Sequence, residues 1–133
     1  MIRTITQSDI EGIEQLMRSE PGFWSDKWSN DALKKAINAA DHLAFVWEEK
    51  GKILGFVCAH NLGFRGYLSE LIVSKTVRGK HIGSSLVKRV ERQLASQGCP
   101  FVISDVWRTA QPFYQKLGWI QPDVILLARP LGK

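Results

Sequence analysis

The stretch that decides the fold begins Leu68-Ser69-Glu70-Leu71-Ile72-Val73 and continues, four residues on, as Arg78-Gly79-Lys80-His81-Ile82-Gly83-Ser84. An apolar run is followed by a short loop bearing glycine. Ile82, Leu86, Val90 and Leu94 then recur at four-residue spacing, which predicts an amphipathic helix from about Gly79 to Gln97, closed by Gly98. A strand, a tight loop and a helix start together make an anion cradle. The first N–H groups of a helix lack intrahelical partners, and the helix dipole favours negative charge there. Arg78 and Lys80 bring two cations to the same place. The expected guest is a phosphate or pyrophosphate.

Upstream, Tyr67 to Val73 reads as a strand, and Asn61 to Gly66 as a glycine-flanked connection. Before it, Leu43 to Glu48 and Lys52 to His60 flank the turn Glu49-Lys50-Gly51, an antiparallel hairpin. Ile2 to Thr6 alternates as a short strand. Ser8 or Asp9 caps a helix through Ile10, Ile13, Leu16 and Met17, with Glu11 completing a capping box with Ser8, and Glu20-Pro21-Gly22 ends it. The aromatic stretch Phe23-Trp24-Ser25-Asp26-Lys27-Trp28 is irregular. A second helix starts at Ser29 to Asp31 and presents Leu33, Ala36, Ile37 and Ala40 on one face. Downstream come a strand at Pro100 to Trp107, a short helix at Ala110 to Leu117 ended by Gly118, and a last extended stretch at Trp119 to Arg129. The order is βααβββαβαβ. Only Tyr67 to Trp107 has the strand, long helix and strand of a parallel crossover. An α/β (α+β) fold follows, with a mixed, mostly antiparallel sheet.

Bulk properties narrow the function. The chain has 133 residues, enough for one core, and residues 1–133 are expected to form a single domain. An apolar fraction of 44% and a charged fraction of 23% are those of a globular protein. The net charge of +5 is spread over Lys34-Lys35, Arg78-Lys80 and Lys88-Arg89-Arg92. Such spacing fits a solvated helix face and one small anionic ligand better than a nucleic-acid groove. No apolar run reaches the roughly 18 residues of a membrane span. The N-terminus lacks a signal-peptide core, so cytoplasm is the expected compartment. Cys58 and Cys99 have no metal-ligand spacing, and Cys58 reads as a small core residue.

The element order and two motifs resemble the GNAT superfamily of acyl-CoA-dependent N-acetyltransferases. The family's phosphate loop, [Q/R]-x-x-G-x-[G/A], is matched by Arg78-Gly79-Lys80-His81-Ile82-Gly83. Its late helix, Ala-x-x-x-Tyr-x-x-x-Gly followed by an aromatic, is matched from Ala110 through Tyr114 and Gly118 to Trp119. The resemblance covers essentially the whole chain. His81 stands where the family usually has glycine, and Trp107 where it commonly has asparagine.

The resemblance implies a sheet with helices on both faces and an N-acetyltransferase using acetyl-CoA without a metal. The acceptor would be a primary amine of a small molecule or protein that attacks the thioester directly in a ternary complex, and the protein a monomer or homodimer. Glu70, a charge in an apolar strand, is the candidate base; a structural ion pair or a solvated carboxylate is the alternative. Tyr114 is the candidate acid that protonates the departing thiolate; a packed aromatic is the alternative. Leu71, Ile72 and Val73 would meet the pantetheine arm through their main chain, one N–H near Leu71 polarising the thioester carbonyl. Arg78, Gly79, Lys80, His81, Ile82, Gly83 and Ser84 would hold the pyrophosphate. Trp24, Trp28 and His60 are expected near the acceptor, and Glu20 and Asp26 are carboxylates that would suit a cationic one. A non-catalytic acyl-CoA sensor of the same fold is the second functional reading, and a nucleic-acid-binding domain the last.

Overall fold

A computed structural model describes residues 1–132. Among the described residues five strands form one sheet: β1 (Ile2–Thr4), β2 (Ala44–Glu49), β3 (Lys52–Asn61), β4 (Gly66–Val73) and β5 (Val102–Ile103). Their spatial order is β1-β2-β3-β4-β5; the first four are antiparallel neighbours, and β4 and β5 are parallel. Four helices accompany them: α1 (Ile10–Ser19), α2 (Ala32–Ala40), α3 (Ile82–Ser96) and α4 (Gln111–Lys116). None is long and apolar enough to cross a membrane.

The sheet carries helices on both faces, as expected, and β3 shows why. Its residues alternate sides. Cys58 points toward α2, its thiol 3.8 Å from the Ala36 carbonyl. Gly55 lies on the other face, where a Cβ would come within 3.1 Å of Leu86 and Ile82 of α3. Ile82, Leu86, Val87, Val90 and Leu94 bury one stripe of α3 against that side, while Ile13, Leu16 and Met17 of α1 and Leu33 of α2 cover the opposite one.

A bulge in β4 determines where Glu70 goes. Strict alternation would put Leu68, Glu70 and Ile72 on one face. Instead Leu68 pairs with Ala59 and Glu70 with Cys58, so Ser69 is an extra residue opposite β3. Ser69 fills the irregularity by donating its hydroxyl to the Cys58 carbonyl at 3.1 Å. Leu68 therefore stays on the α3 side, while Glu70 and Ile72 share the α1/α2 side with Cys58 and Phe56.

Three expectations change. First, α1 is preceded by a 3-10 turn, Gln7–Asp9, entered from Thr6 rather than capped at Ser8. The Asp9 carboxylate accepts from the Thr6 N–H at 2.8 Å and takes a two-pronged contact from Arg3. Arg3 holds the Asp9 carboxyl down at about 2 against a desolvation that pushes the other way. Asp9 directly precedes α1 but gives it no side-chain cap; its carboxylate serves the β1 junction instead. Second, the Pro100 to Trp107 strand shortens to Val102–Ile103. Third, Trp119 to Arg129 joins no strand. Ile120 and Val124 through Leu127 are 72–85% exposed. Pro122 and Pro130 lack backbone donors, and β5 is too short to template a neighbour.

Candidate active site

β4 and β5 part company almost as soon as they meet. Only Gly66 with Val102 and Tyr67 with Ile103 are in register. The Ser104 hydroxyl then donates to the Leu68 carbonyl at 2.8 Å, and the strands diverge. From Glu70 to Val73, β4 is paired on its β3 edge and carries no strand on the other. That free main-chain edge includes Leu71, Ile72 and Val73.

The loop expected to receive phosphate lies at the end of this edge. Lys75–Val77 forms a 3-10 turn capped by the Ser74 hydroxyl, and α3 then begins at Ile82. His81 adopts the left-handed conformation (φ 62°, ψ 20°) that the family's glycine would adopt without strain. The turn is thus made with a histidine. The first helical bond runs from the Ser85 N–H to the His81 carbonyl, so the N–H groups of Ile82, Gly83 and Ser84 have no acceptor inside the helix. Gly83 permits a close approach: a Cβ there would lie 3.3 Å from the Phe113 ring. The Ser84 hydroxyl donates to the His81 carbonyl at 3.1 Å, leaving its N–H, not its O–H, free to donate outward.

The two expected cations separate. Arg78 turns back and donates to Glu20 at 2.5 Å, with Glu20 only 4% exposed. Its side chain ties the loop to the end of α1, and Lys80 is left as the outward-facing cation of the pair. Glu20 is correspondingly occupied and does not await a cationic acceptor. Trp107, in place of the family's asparagine, packs on Phe23 with ring centroids 4.9 Å apart. It also lies over Gly22, whose φ of +85° and lack of a Cβ admit it; a Cβ there would meet the indole at 2.4 Å. The 20–31 loop is clasped from two sides, by Arg78 and by Trp107.

Beneath that loop is a cavity of about 160 Å³. Met17 of α1 and Ala32, Leu33 and Ala36 of α2 line one side. Phe56, Cys58 and Glu70 of the sheet form its floor, and Trp24 and Trp28 its rim. The two tryptophans meet edge to face at 5.2 Å. His60 lies outside the lining, one sheet step along, with Nε2 3.8 Å from the Cys58 thiol.

Glu70 makes no hydrogen bond or ion pair among the described residues, so the structural ion pair considered above is not formed. Burial, helped by the charge of Asp105, raises its carboxyl from 4.5 to about 7. Tyr114 is 7% exposed, and its hydroxyl has no partner among the described residues. Burial first, then the charges of Asp105 and Glu70, raise it to about 12, which keeps the phenol protonated. Its ring is fixed edge-on by Phe113 at 5.0 Å and Trp119 at 5.3 Å, and Trp119 is anchored by donating to Glu91 of α3 at 2.8 Å. A carboxylate able to take a proton near neutrality and a phenol holding one thus face a shared electrostatic environment. Burial also raises the Cys58 thiol to about 11, so it is no thiolate nucleophile.

Asp105 and Tyr67 were not foreseen. The Tyr67 hydroxyl donates to the Asp105 carboxylate across the mouth of the β4/β5 split. The sequence pattern places both simply within strands. The available signal was polarity: Ser104 and Asp105 interrupt an otherwise apolar strand.

Comparison with known proteins bears on the family and the fold. Residues 10–119 match the model of the acetyltransferase (GNAT) family. The chain is 28% identical to an acetyltransferase, YE1169, of Yersinia enterocolitica, over 98% of this chain and 94% of that one. Its fold is similar to a glucosamine-6-phosphate N-acetyltransferase from Arabidopsis thaliana, with 23% identity, a TM-score of 0.77, and 99% of this chain and 98% of that one covered. It is also similar to an aminoglycoside N-acetyltransferase solved with CoA, at 20% identity and a TM-score of 0.78, covering 99% and 100%.

Proposed function

Because the chain belongs to the acetyltransferase (GNAT) family, we propose that it moves the acetyl group of acetyl-CoA onto a primary amine by direct attack with both substrates bound. In this reading Glu70 takes a proton from the amine and Tyr114 gives one to the departing sulfur. The observation that carries it is an unpaired carboxyl, raised to about 7, on the floor of a cavity beside the free edge of β4.

The residues present suit the cosubstrate. The N–H groups of Ile82, Gly83 and Ser84, with Lys80, suit a pyrophosphate, and the free main chain of Leu71 to Val73 suits an amide-bearing arm. Acetyl-CoA supplies the activated acetyl group as a thioester. The chain's own part is proton management and placement. An alkylamine has a pKa near 10.4, so most of it arrives protonated. Glu70, ionised above about pH 7, removes the proton directly or through water. The amine nitrogen bonds to the carbonyl carbon, the carbon–sulfur bond breaks, and its electron pair goes to sulfur. The protonated Tyr114 neutralises that sulfur; the acylated nitrogen gives its second proton through water to the phenolate, and Glu70 releases the first to solvent. Products are the N-acetyl amine and CoA.

The test is CoA release from acetyl-CoA with a panel of amines. Glu70→Gln should lower turnover by about 10²-fold or more and Tyr114→Phe by about tenfold. Unchanged turnover in both would overturn these assignments. Acetyl-CoA that raises Tm without any acetyl transfer would instead favour a non-catalytic acyl-CoA sensor.

A further inference from the structure

Resting on the acetyltransferase reading, we infer that the acceptor is a small primary monoamine carrying one compact apolar group, a single aromatic ring or a branched alkyl chain of similar size.

Cavity size sets the body of the molecule. About 160 Å³ is close to the roughly 150 Å³ of an engineered apolar cavity that binds benzene. The space exists because α2 presents alanine at both Ala32 and Ala36, one helical turn apart, over Phe56 and Met17. Leu33 completes an apolar wall.

The charge pattern sets the number of amines. Among the described residues, Glu70 is the one carboxylate lining the cavity. A bound amine that reaches it leaves the rest of the molecule among Met17, Leu33, Phe56 and the tryptophans. A second ammonium would sit there desolvated and unpartnered. Of the two carboxylates of the 20–31 loop considered above, Glu20 is consumed by Arg78, and Asp26 is exposed and does not line the cavity. Nor do the tryptophans make an ammonium cage. The Arg18 guanidinium lies over the Trp24 ring, 4.7 Å from its centroid, and Trp28 meets Trp24 edge-on. That arrangement places a cation at the rim, which disfavours polycationic acceptors and leaves aromatic edges for an apolar guest.

The experiment is steady-state acetylation by the intact protein at saturating acetyl-CoA. The amines are 2-phenylethylamine, 3-methylbutylamine, methylamine, spermidine, kanamycin and a lysine-containing peptide. The kcat/KM for 2-phenylethylamine should exceed those for spermidine, kanamycin and the peptide by about 100-fold. Ala36→Phe should raise the KM for 2-phenylethylamine about tenfold, and by a larger factor than for methylamine, because the new ring occupies the guest's volume. Retention of the Tm rise given by acetyl-CoA shows that this variant is folded. Trp28→Ala, at the 41% exposed rim, is the second variant and should raise the same KM severalfold. Preference for kanamycin, spermidine or the peptide overturns the acceptor class while leaving acetyl transfer standing. Failure to acetylate any amine overturns both readings.

Discussion

The Arg78–Ser84 loop, proposed to take phosphate, and the cavity floored by Glu70, proposed to take the acceptor, are built in opposite ways. The loop is contiguous. It uses main-chain N–H groups of Ile82, Gly83 and Ser84, aimed by a helix start that local residues dictate. The cavity is assembled from side chains of α1, the 20–31 loop, α2, β3 and β4, which no sequence window brings together. A main-chain turn tolerates side-chain change, as His81 in the left-handed position shows. A side-chain cavity changes its guest with each substitution. The two regions are physically joined: Arg78 at the loop's start grips Glu20, where the 20–31 loop begins.

The largest effect should come from the residue between them. Glu70→Gln is expected to lower kcat/KM by about 10²–10⁴ and abolish the rise of activity through about pH 7. Its stability signature has a definite sign. Between about pH 4.5 and 7 the native carboxyl keeps its proton while the unfolded one has lost it, so native stability falls as pH rises through that window. Glu70→Gln removes this fall, and its Tm should exceed the parent's at pH 8 and match it near pH 4. An equal difference at both values would show that Glu70 is not held as described.

Next, Arg78→Ala tests the join. It leaves Glu20 buried without its cation and should cost about 1–3 kcal/mol by denaturant unfolding, discounted from a fully buried pair because Arg78 is exposed to water. It should also raise KM for acetyl-CoA and for the amine together. A change in one alone would mean that the two regions act independently.

Gly83→Val tests the loop by itself. The added side chain presses on Phe113 and Val73, and KM for acetyl-CoA should rise about tenfold (about 1.4 kcal/mol) with little change for the amine. Asp105→Asn should move the pH-dependence of kcat/KM downward by a fraction of a unit, since one of the two influences raising Glu70 is removed. The smallest effect is expected for His81→Gly. Relief of left-handed strain in a loop should offset the flexibility gained by the unfolded chain, giving at most about 1 kcal/mol of stabilisation.

How much was legible follows from the range of the forces involved. Periodicity and turn residues located β1 to β4 and all four helices to within a few residues, because amphipathicity and capping act over one or two turns. Extended propensity at Trp119 to Arg129 did not produce a strand, since a strand needs a partner edge as well as a sequence. Trp24, Trp28 and His60 were expected near the acceptor; the two tryptophans share a cavity with Glu70, while His60, two positions beyond Cys58, lies just outside. Asp105 and Tyr67 went unseen because their significance lies in a contact spanning 38 residues.

The sequence by itself determined the strand, loop and helix start, the late tyrosine helix and the family they mark. Those depend on local backbone preference and on residues close along the chain. Only the tertiary structure decided that Ser69 is a bulge, that Arg78 belongs to Glu20, and that two alanines of α2 leave room above Glu70. Strand register, ion-pair choice and empty volume are properties of surfaces that meet only after the chain has packed.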